Sequence, residues 1–375
     1  MAFFHRALIL IASALVWGGC GKSSGEPEKV PPQWERTALG ADLSLLPSYV
    51  AANAVFQDAE GNDVNVLSFL KQKGLNYVRC RLFVNPDTDS GACQDITYVT
   101  DFGKTVKNAG LELLLDFHYS DTWADPGKQT KPEAWKNIPT NELPAQVYQY
   151  TKSSLTSLKE ASVTPRLIQI GNEITSGMLW EDGKVSVWEN DQTPPGRWTL
   201  FLSMLAEASR ACREICPDAK IIIHTDRSGD AETLRRYYLW LENANIDYDI
   251  IGLSYYPFWH GTFADVASVL TVMGHLFSQK EIMFVETAYP YNEWGYPSDS
   301  KYPSLYPTTP QGQADFTKAF VALLGSYPQV TGLFWWFAEE TYSPNIRIHP
   351  DMHRGLFHNR TGKALPALDE LKTFI

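Results

Sequence analysis

From residue 37 onward the chain alternates between two apolar patterns. One is a short, nearly continuous apolar run: TALGADLSLL (37–46), LNYVRCRLFV (75–84), LELLLDFHY (111–119), RLIQIGNE (166–173), KIIIHTD (220–226), YDIIGLSYY (248–256), EIMFVETAY (281–289) and TGLFWWF (331–337). Such runs predict strands of a parallel sheet covered on both faces. The other pattern has apolar residues at helical spacing, as in VNVLSFLKQKG, YVTDFGKTVKNAG, VYQYTKSSLTSLKEA, TLFLSMLAEASRACREI, AETLRRYYLWLENA, FADVASVLTVMGHLFSQ, QADFTKAFVALLGSY and ALPALDELKTF. Alternating strand–helix units predict an α/β fold, a single (β/α)8 barrel (a TIM barrel) spanning 37–375. A doubly wound open sheet is the alternative; no G-x-G-x-x-G follows the first strand, which counts against it. No internal repeat is evident, and no second domain has room.

Polar residues end the apolar runs. Asp42 closes the first. Arg79 and Arg81 stand two apart in the second and so share one face. Asp116, His118, Asp121 and Trp123 follow the third, Asn172–Glu173 the fourth and His224–Thr225–Asp226 the fifth. Ser254–Tyr255–Tyr256 ends the sixth, Glu286 the seventh and Trp335–Trp336 the eighth. In a (β/α)8 barrel the C-terminal strand ends carry the chemistry. Strands 4 and 7 lie across the barrel from one another, so Glu173 and Glu286 are expected to face one point, where two carboxyls can flank a glycosidic bond. Buried ion pairs with Arg79 or Arg81 are the structural alternative. Such pairs are costly to desolvate and stabilise little, so a functional site is the better reading.

Composition narrows the partners. The chain has 375 residues, 44% hydrophobic and 13% aromatic, and a net charge of −11. No basic run interleaves with aromatics, which argues against nucleic acid. Twelve Trp, 18 Tyr and 18 Phe offer more aromatic surface than a core requires, and sugar rings stack on such surfaces. MAFFHRALILIASALVWGGC has a basic residue, a short apolar run and a small–small–Cys ending. That pattern is a secretory signal over 1–19, and its ending resembles a bacterial lipoprotein signal with Cys20 lipidated. Trp17 departs from the Leu-like residue usual three places before the Cys. Residues 20–36, rich in Gly, Ser, Pro and charge, read as a tether. The expected protein is thus exported, membrane-bound only through lipid on Cys20, and a monomer. Cys80 reads as a core residue. Cys212 and Cys216 are four apart on a helix, a spacing that matches no zinc site. Export would permit disulfides.

The strand-end strings DFHYSDTWADP, QIGNEITSGMLW, GLSYYPFW and VETAYP, with GADLSLLP, VRCRLFVNP and GLFHNRTGKALPAL, closely resemble the family 53 endo-β-1,4-galactanases. These belong to a retaining glycoside hydrolase clan built on this barrel. The likeness runs from about Leu39 to the C-terminus. It implies Glu173 as acid/base and Glu286 as nucleophile. It also implies that Asn172 holds the sugar 2-hydroxyl, and that Tyr256 with one of Arg79 or Arg81 holds Glu286. His118 would touch the reacting sugar, Trp336 would form its floor, and Trp123 and Trp180 would be walls of neighbouring subsites. Asp116 and Asp226 complete the expected support. Trp180 has a second reading, a pin for the loop after strand 4. After strand 8 this chain has FWWFAEETYSPNIRIHP, with Phe337 where the family has Glu. The loops there show no oxygen-ligand pattern, so no calcium, other metal or cofactor is expected.

The expected reaction cleaves β-1,4-galactan by double displacement. An Arg and a Tyr hydroxyl should hold Glu286 below the usual carboxylate range, and less cationic surroundings should raise Glu173. A mannanase or cellulase is the nearest alternative, and a non-catalytic glycan-binding surface lipoprotein a more distant one.

Overall fold

Eight parallel strands close into a barrel in chain order: β1 (Ala38–Asp42), β2 (Tyr77–Leu82), β3 (Glu112–Phe117), β4 (Leu167–Ile170), β5 (Lys220–Thr225), β6 (Ile250–Tyr255), β7 (Glu281–Thr287) and β8 (Val330–Trp335). Closure is through β1 and β8, paired from Ala38 with Gly332 to Ala41 with Trp335. The computed structural model describes residues 32–375 apart from 87, 89–91, 188–195, 342, 344–345 and 347–352. The lipidation expected at Cys20 and the signal before it lie outside the described residues. Gln33–Ile375 form one unit.

Among the described residues eight helices fall where the apolar spacing predicts them, and two short ones, Leu46–Ala51 and Pro257–His260, are additional. They are α1 (Leu46–Ala51), α2 (Val66–Gln72), α3 (Ile96–Asn108), α4 (Leu143–Glu160), α5 (Arg197–Ile215), α6 (Ala231–Asn243), α7 (Pro257–His260), α8 (Phe263–Leu276), α9 (Pro310–Gly325) and α10 (Ala367–Leu371). Local chemistry starts several of them. Asp95 caps α3, Asp230 caps α6, and Thr309 caps α9 just before Pro310. Thr262 and Asp265 form a capping box on α8. Among the described residues no helix is long and apolar enough to cross a membrane.

Strand alternation divides the core into two. Val78, Cys80 and Leu82 of β2, like Leu113, Leu115 and Phe117 of β3, belong to the large outer cluster. Ala38, Leu114, Leu167, Ile222, Ile250, Met283, Val285 and Phe334 fill the barrel interior as a separate cluster. One step further along the inward faces, the side chains turn polar: Asp42, Arg79, Asp116, Gln169, His224 and Ser254, all fully buried. The apolar inner layer is thus a plug on which a polar layer stands, at the C-terminal end where sugar chemistry was expected. Among the described residues Cys80, Cys93, Cys212 and Cys216 are all free thiols.

Candidate active site

Glu173 reaches this end through a strained turn. Gly171 takes φ +96°, and Glu173 itself takes φ +50°, left-handed for a residue with a side chain. A Cβ at Gly171 would lie 2.8 Å from Ile174, so the turn also needs the missing side chain. The Glu173 amide donates to His224 Nδ1 at 3.3 Å, as does Gln169 Nε2 at 3.0 Å. His224 Nδ1 is therefore the acceptor and Nε2 carries the proton. Nε2 donates to Ser254 Oγ at 2.8 Å, and Ser254 donates to Glu173 Oε1 at 2.6 Å. Burial holds His224 neutral, well below its ordinary range, with Arg79 adding to the effect. The Glu173 carboxyl thus accepts from a neutral group, Ser254, and has no cation within ion-pair distance among the described residues.

Glu286 is brought inward by a bulge. Met283 and Val285 both belong to the inner cluster, so strict alternation would send residue 286 outward. The β6–β7 register shifts instead: Leu253 pairs with Phe284, and Ser254 with Glu286. The extra residue re-aims the next side chain, a recurring use of bulges beside active sites. Glu286 then sits 2.9 Å from Arg79 Nη2 and accepts from the Tyr256 hydroxyl at 2.9 Å. Of the two candidate arginines, Arg79 is the one that holds it.

Arg79 is shared. Its Nη1 donates to Asp42 at 2.8 Å, and its Nη2 to Asp116 at 2.7 Å and to Asn172 Oδ1 at 2.8 Å. Asn172 Nδ2 donates to the Ala124 carbonyl at 2.8 Å, which fixes the amide's orientation. Arg81 does not touch Glu286. It lies 3.6 Å from Asp42, and its guanidinium carbon stands 4.2 Å from the Trp123 ring centre. His118 Nδ1 accepts from the Ala124 amide at 3.0 Å, and its Nε2 lies 3.1 Å from Asp116. Asp226 accepts from Thr175 at 2.6 Å, beside Glu173.

These environments set unequal acidities. Burial lifts Glu173 well above the ordinary carboxylate value, and the charges of Glu286 and Asp226 lift it further. Glu286 was expected below that value, and this is corrected. Its burial is the largest effect, and Asp116 and Asp42 already share Arg79's charge, so Glu286 also lies above it. Arg79 and the Tyr256 hydroxyl pull Glu286 back down. Glu286 therefore ionises first and Glu173 keeps its proton longer.

Both carboxyls open into one cavity of about 520 Å³. Of the expected residues, Arg81, His118, Trp123, Asn172, Asp226, Tyr256 and Trp336 also line it. Arg79 and Asp116 stand behind that lining. Trp180 is not in it: its indole donates to the Ser176 carbonyl at 2.9 Å, and Lys184 covers its ring at 4.3 Å. Trp180 is thus a loop pin, and its expected place as a subsite wall is not supported. The sequence reading missed Arg227, Trp259, His260, Lys301 and Arg354, which line the same cavity. Trp259 and His260 lie just past Tyr256 in the sixth run and were within reach of the strand-end rule. Lys301 and Arg354 come from distant loops with no periodic signal. Among the described residues no three His, Cys, Asp or Glu side chains are grouped to hold a metal ion.

A closed parallel barrel with two carboxylates of unequal acidity in one C-terminal cavity has the build of a glycoside hydrolase. The chain belongs to glycosyl hydrolase family 53, which it matches over residues 38–371. It is 30% identical over 364 residues to the "Endo-beta-1,4-galactanase" of Bacillus subtilis (strain 168), covering 88% of this chain and 81% of that one. It is 31% identical over 344 residues to the "Arabinogalactan endo-beta-1,4-galactanase" of Thermothelomyces thermophilus, covering 88% and 98%. The solved structure of the Ignisphaera aggregans family 53 catalytic domain superposes with a TM-score of 0.78 at 31% identity, covering 92% of this chain and 97% of that one.

Proposed function

We propose that the protein is an endo-acting, retaining β-1,4-galactanase in which Glu286 is the nucleophile and Glu173 the acid/base. The observation that carries this reading is the contrast between the two carboxyls. Glu286 is gripped by a guanidinium and a phenol. Glu173 accepts from the neutral Ser254 hydroxyl, and burial holds its pKa well above the ordinary carboxylate range. A carboxylate that ionises first suits attack on the anomeric carbon, and one that keeps its proton suits donation to the leaving oxygen. Once Glu286 is esterified its charge is gone, Glu173 loses its proton more readily, and it can act as base toward water. Asn172, fixed by Arg79 and Ala124, presents its remaining N–H to the sugar. Trp123 and Trp336 supply stacking surface. The named activities of the relatives support galactan as the polymer.

The test is hydrolysis of unbranched β-1,4-galactan, with mannan and cellulose as controls, followed by product sizing. Early internal cuts in galactan are expected. A preference for mannan or cellulose would make this another glycanase. Binding without hydrolysis of any of them would leave a glycan-binding protein.

We further propose that the catalytic unit, residues 37–375, is exported as a monomer and tethered by lipid on Cys20 through residues 20–36. The support is the order of basic residue, apolar run, Gly18–Gly19 and Cys20 in the sequence. Cys20→Ser should free the protein from the membrane fraction; unchanged fractionation would remove the lipid anchor.

A further inference from the structure

Only one oxygen of Glu173 is free to carry the acid's proton. Oε1 lies 2.6 Å from Ser254 Oγ. A hydroxyl has one proton to give, so the direction of that bond depends on what Ser254 receives. Ser254 and His224 are both fully buried, and His224 Nε2 lies 2.8 Å from Ser254 Oγ. The Glu173 amide points at Nδ1 of the same ring at 3.3 Å, and Gln169 Nε2 stands 3.0 Å from it. Asn172 Oδ1, 3.1 Å from Nδ1, would favour a proton there, but it already accepts from Arg79 Nη2 at 2.8 Å. A backbone N–H can only donate, so it fixes Nδ1 as the acceptor and the ring proton on Nε2. Ser254 then accepts from His224 and gives its own proton to Glu173 Oε1.

We propose that Ser254 is a positioning residue for the acid: by donating to Oε1 it confines the proton of Glu173 to Oε2. Glu173 lines the cavity, and no hydrogen bond from the described residues occupies Oε2, so that oxygen is the one left for substrate. The donors run from the Glu173 amide through His224 and Ser254 back to the Glu173 carboxyl. The turn that brings the acid inward thus also sets which of its oxygens is protonated. The inference rests on the reading of Glu173 as acid/base and adds how its proton is placed.

Both steps of the reaction then use one oxygen. In the first, the Oε2 proton passes to the leaving oxygen as that oxygen's bond to the anomeric carbon breaks and Glu286 bonds to the carbon. In the second, water gives a proton to Oε2 as its oxygen bonds to the anomeric carbon and the ester to Glu286 breaks, restoring the carboxylate. Besides His224, the titratable groups facing Glu173 are Asp125 after β3, Asp226 with its partner Arg227 after β5, Tyr256 after β6 and Glu286 on β7. Ser254 differs from them in touching Oε1 itself, and a donor to a carboxylate favours its charged form.

The test compares the wild type with Ser254→Ala on a galactooligosaccharide and on an aryl β-galactobioside, whose leaving group needs little protonation. In the variant, kcat/KM should fall about tenfold further on the oligosaccharide than on the aryl substrate, the worth of one hydrogen bond. The alkaline limb of its profile should move to higher pH, because the charged form of Glu173 has lost a donor. Ser254→Cys offers a weaker donor from the same place, so its limb and its ratio should fall between those of the wild type and Ser254→Ala. A ratio and the position of a limb do not depend on how much of a variant folds. Equal losses on both substrates with the limb in place would overturn the assignment and leave Ser254 a packing residue. A limb moved to lower pH would overturn it as well, because Ser254 would then have been accepting the acid's proton. Glu173→Ala in the same assays tests the acid/base reading separately: if that variant lost activity equally on both substrates, Glu173 would not be the acid.

Discussion

The Tyr256 hydroxyl donates to one oxygen of Glu286 at 2.9 Å while Arg79 Nη2 stands 2.9 Å from the other. A carboxylate held at both oxygens cannot rotate, so its attacking oxygen is aimed before substrate arrives. Both contacts favour the charged form, and both oppose the burial that lifts Glu286.

Tyr256→Phe removes one of these contacts and little volume. The Glu286 pKa should rise, because the charged form loses a donor and nothing replaces it. Catalysis requires Glu286 ionised, so the acid limb of the kcat/KM profile should move to higher pH, and the plateau should fall about tenfold to a hundredfold. A lower plateau with an unmoved acid limb would mean that the phenol orients Glu286 without tuning its charge.

Glu173→Ala and Glu286→Ala should each lose nearly all activity on galactan, about 10²–10⁴-fold for the loss of the acid alone. Aryl galactosides need little protonation of their leaving group, so they should partly rescue Glu173→Ala. Azide should rescue it further by attacking the trapped ester. The alkaline limb of the wild-type profile should vanish for this variant on the aryl substrate, because that limb reports deprotonation of Glu173. Since the two carboxyls interact, the wild-type limbs belong to the pair. Equal rescue of both variants would mean that the roles are exchanged or misread.

Most of this site was legible because each strand end breaks an apolar run with a group that dislikes burial. Glu173, His118, Asn172 and Tyr256 announce themselves in that way. What was not legible depends on geometry that no run of letters records. Arg79 and Arg81 share a face two residues apart, so the sequence could not say which meets Glu286; their heights in the barrel decide it. The bulge that turns Glu286 inward lies within an unbroken apolar strand, where alternation alone gives the wrong face. The direction of the Glu286 shift required the count of carboxylates around Arg79, and Asp42 and Asp116 arrive from other strands. Trp180 reads in sequence like any site tryptophan. Only its bond to Ser176 and its cover by Lys184 mark it as a pin.

Glu339 connects the site to stability. It is fully buried near Arg81; its Oε1 accepts from the Leu45 amide at 2.8 Å, and Oε2 has no hydrogen-bond partner among the described residues. Burial, with Asp42 adding, raises it from the ordinary 4.5 to about 8. The folded chain then holds this proton more tightly than the unfolded one. Its contribution to stability is complete below 4.5 and is lost as pH rises through 8. Glu339→Gln keeps the acceptor for Leu45 and removes the titration, so stability against pH should flatten between those limits. Chemical denaturation at a series of pH values measures it, and an unchanged slope would place the titrating group elsewhere.

The last expectation separates a pin from a platform. Trp336 lines the cavity and meets Tyr256 edge-to-face, with ring centres 6.2 Å apart. Trp123 lines it from the opposite arc, backed by Arg81. Losing a stacked aromatic should cost about 1–3 kcal/mol of substrate binding, read as weaker kcat/KM with the fold intact. Trp180 braces its own loop through Ser176 and Lys184 and ties it to the loop after β3, its amide donating to the Gln129 carbonyl at 2.7 Å. Trp180→Ala should therefore lower Tm and reduce kcat/KM by one common factor across a ladder of galactooligosaccharides, through slackening of the loop that follows Glu173. Trp123→Ala and Trp336→Ala should lower kcat/KM with less effect on Tm. A Trp180→Ala loss that grew with chain length while Tm held would return that indole to the substrate path, beyond the cavity described here.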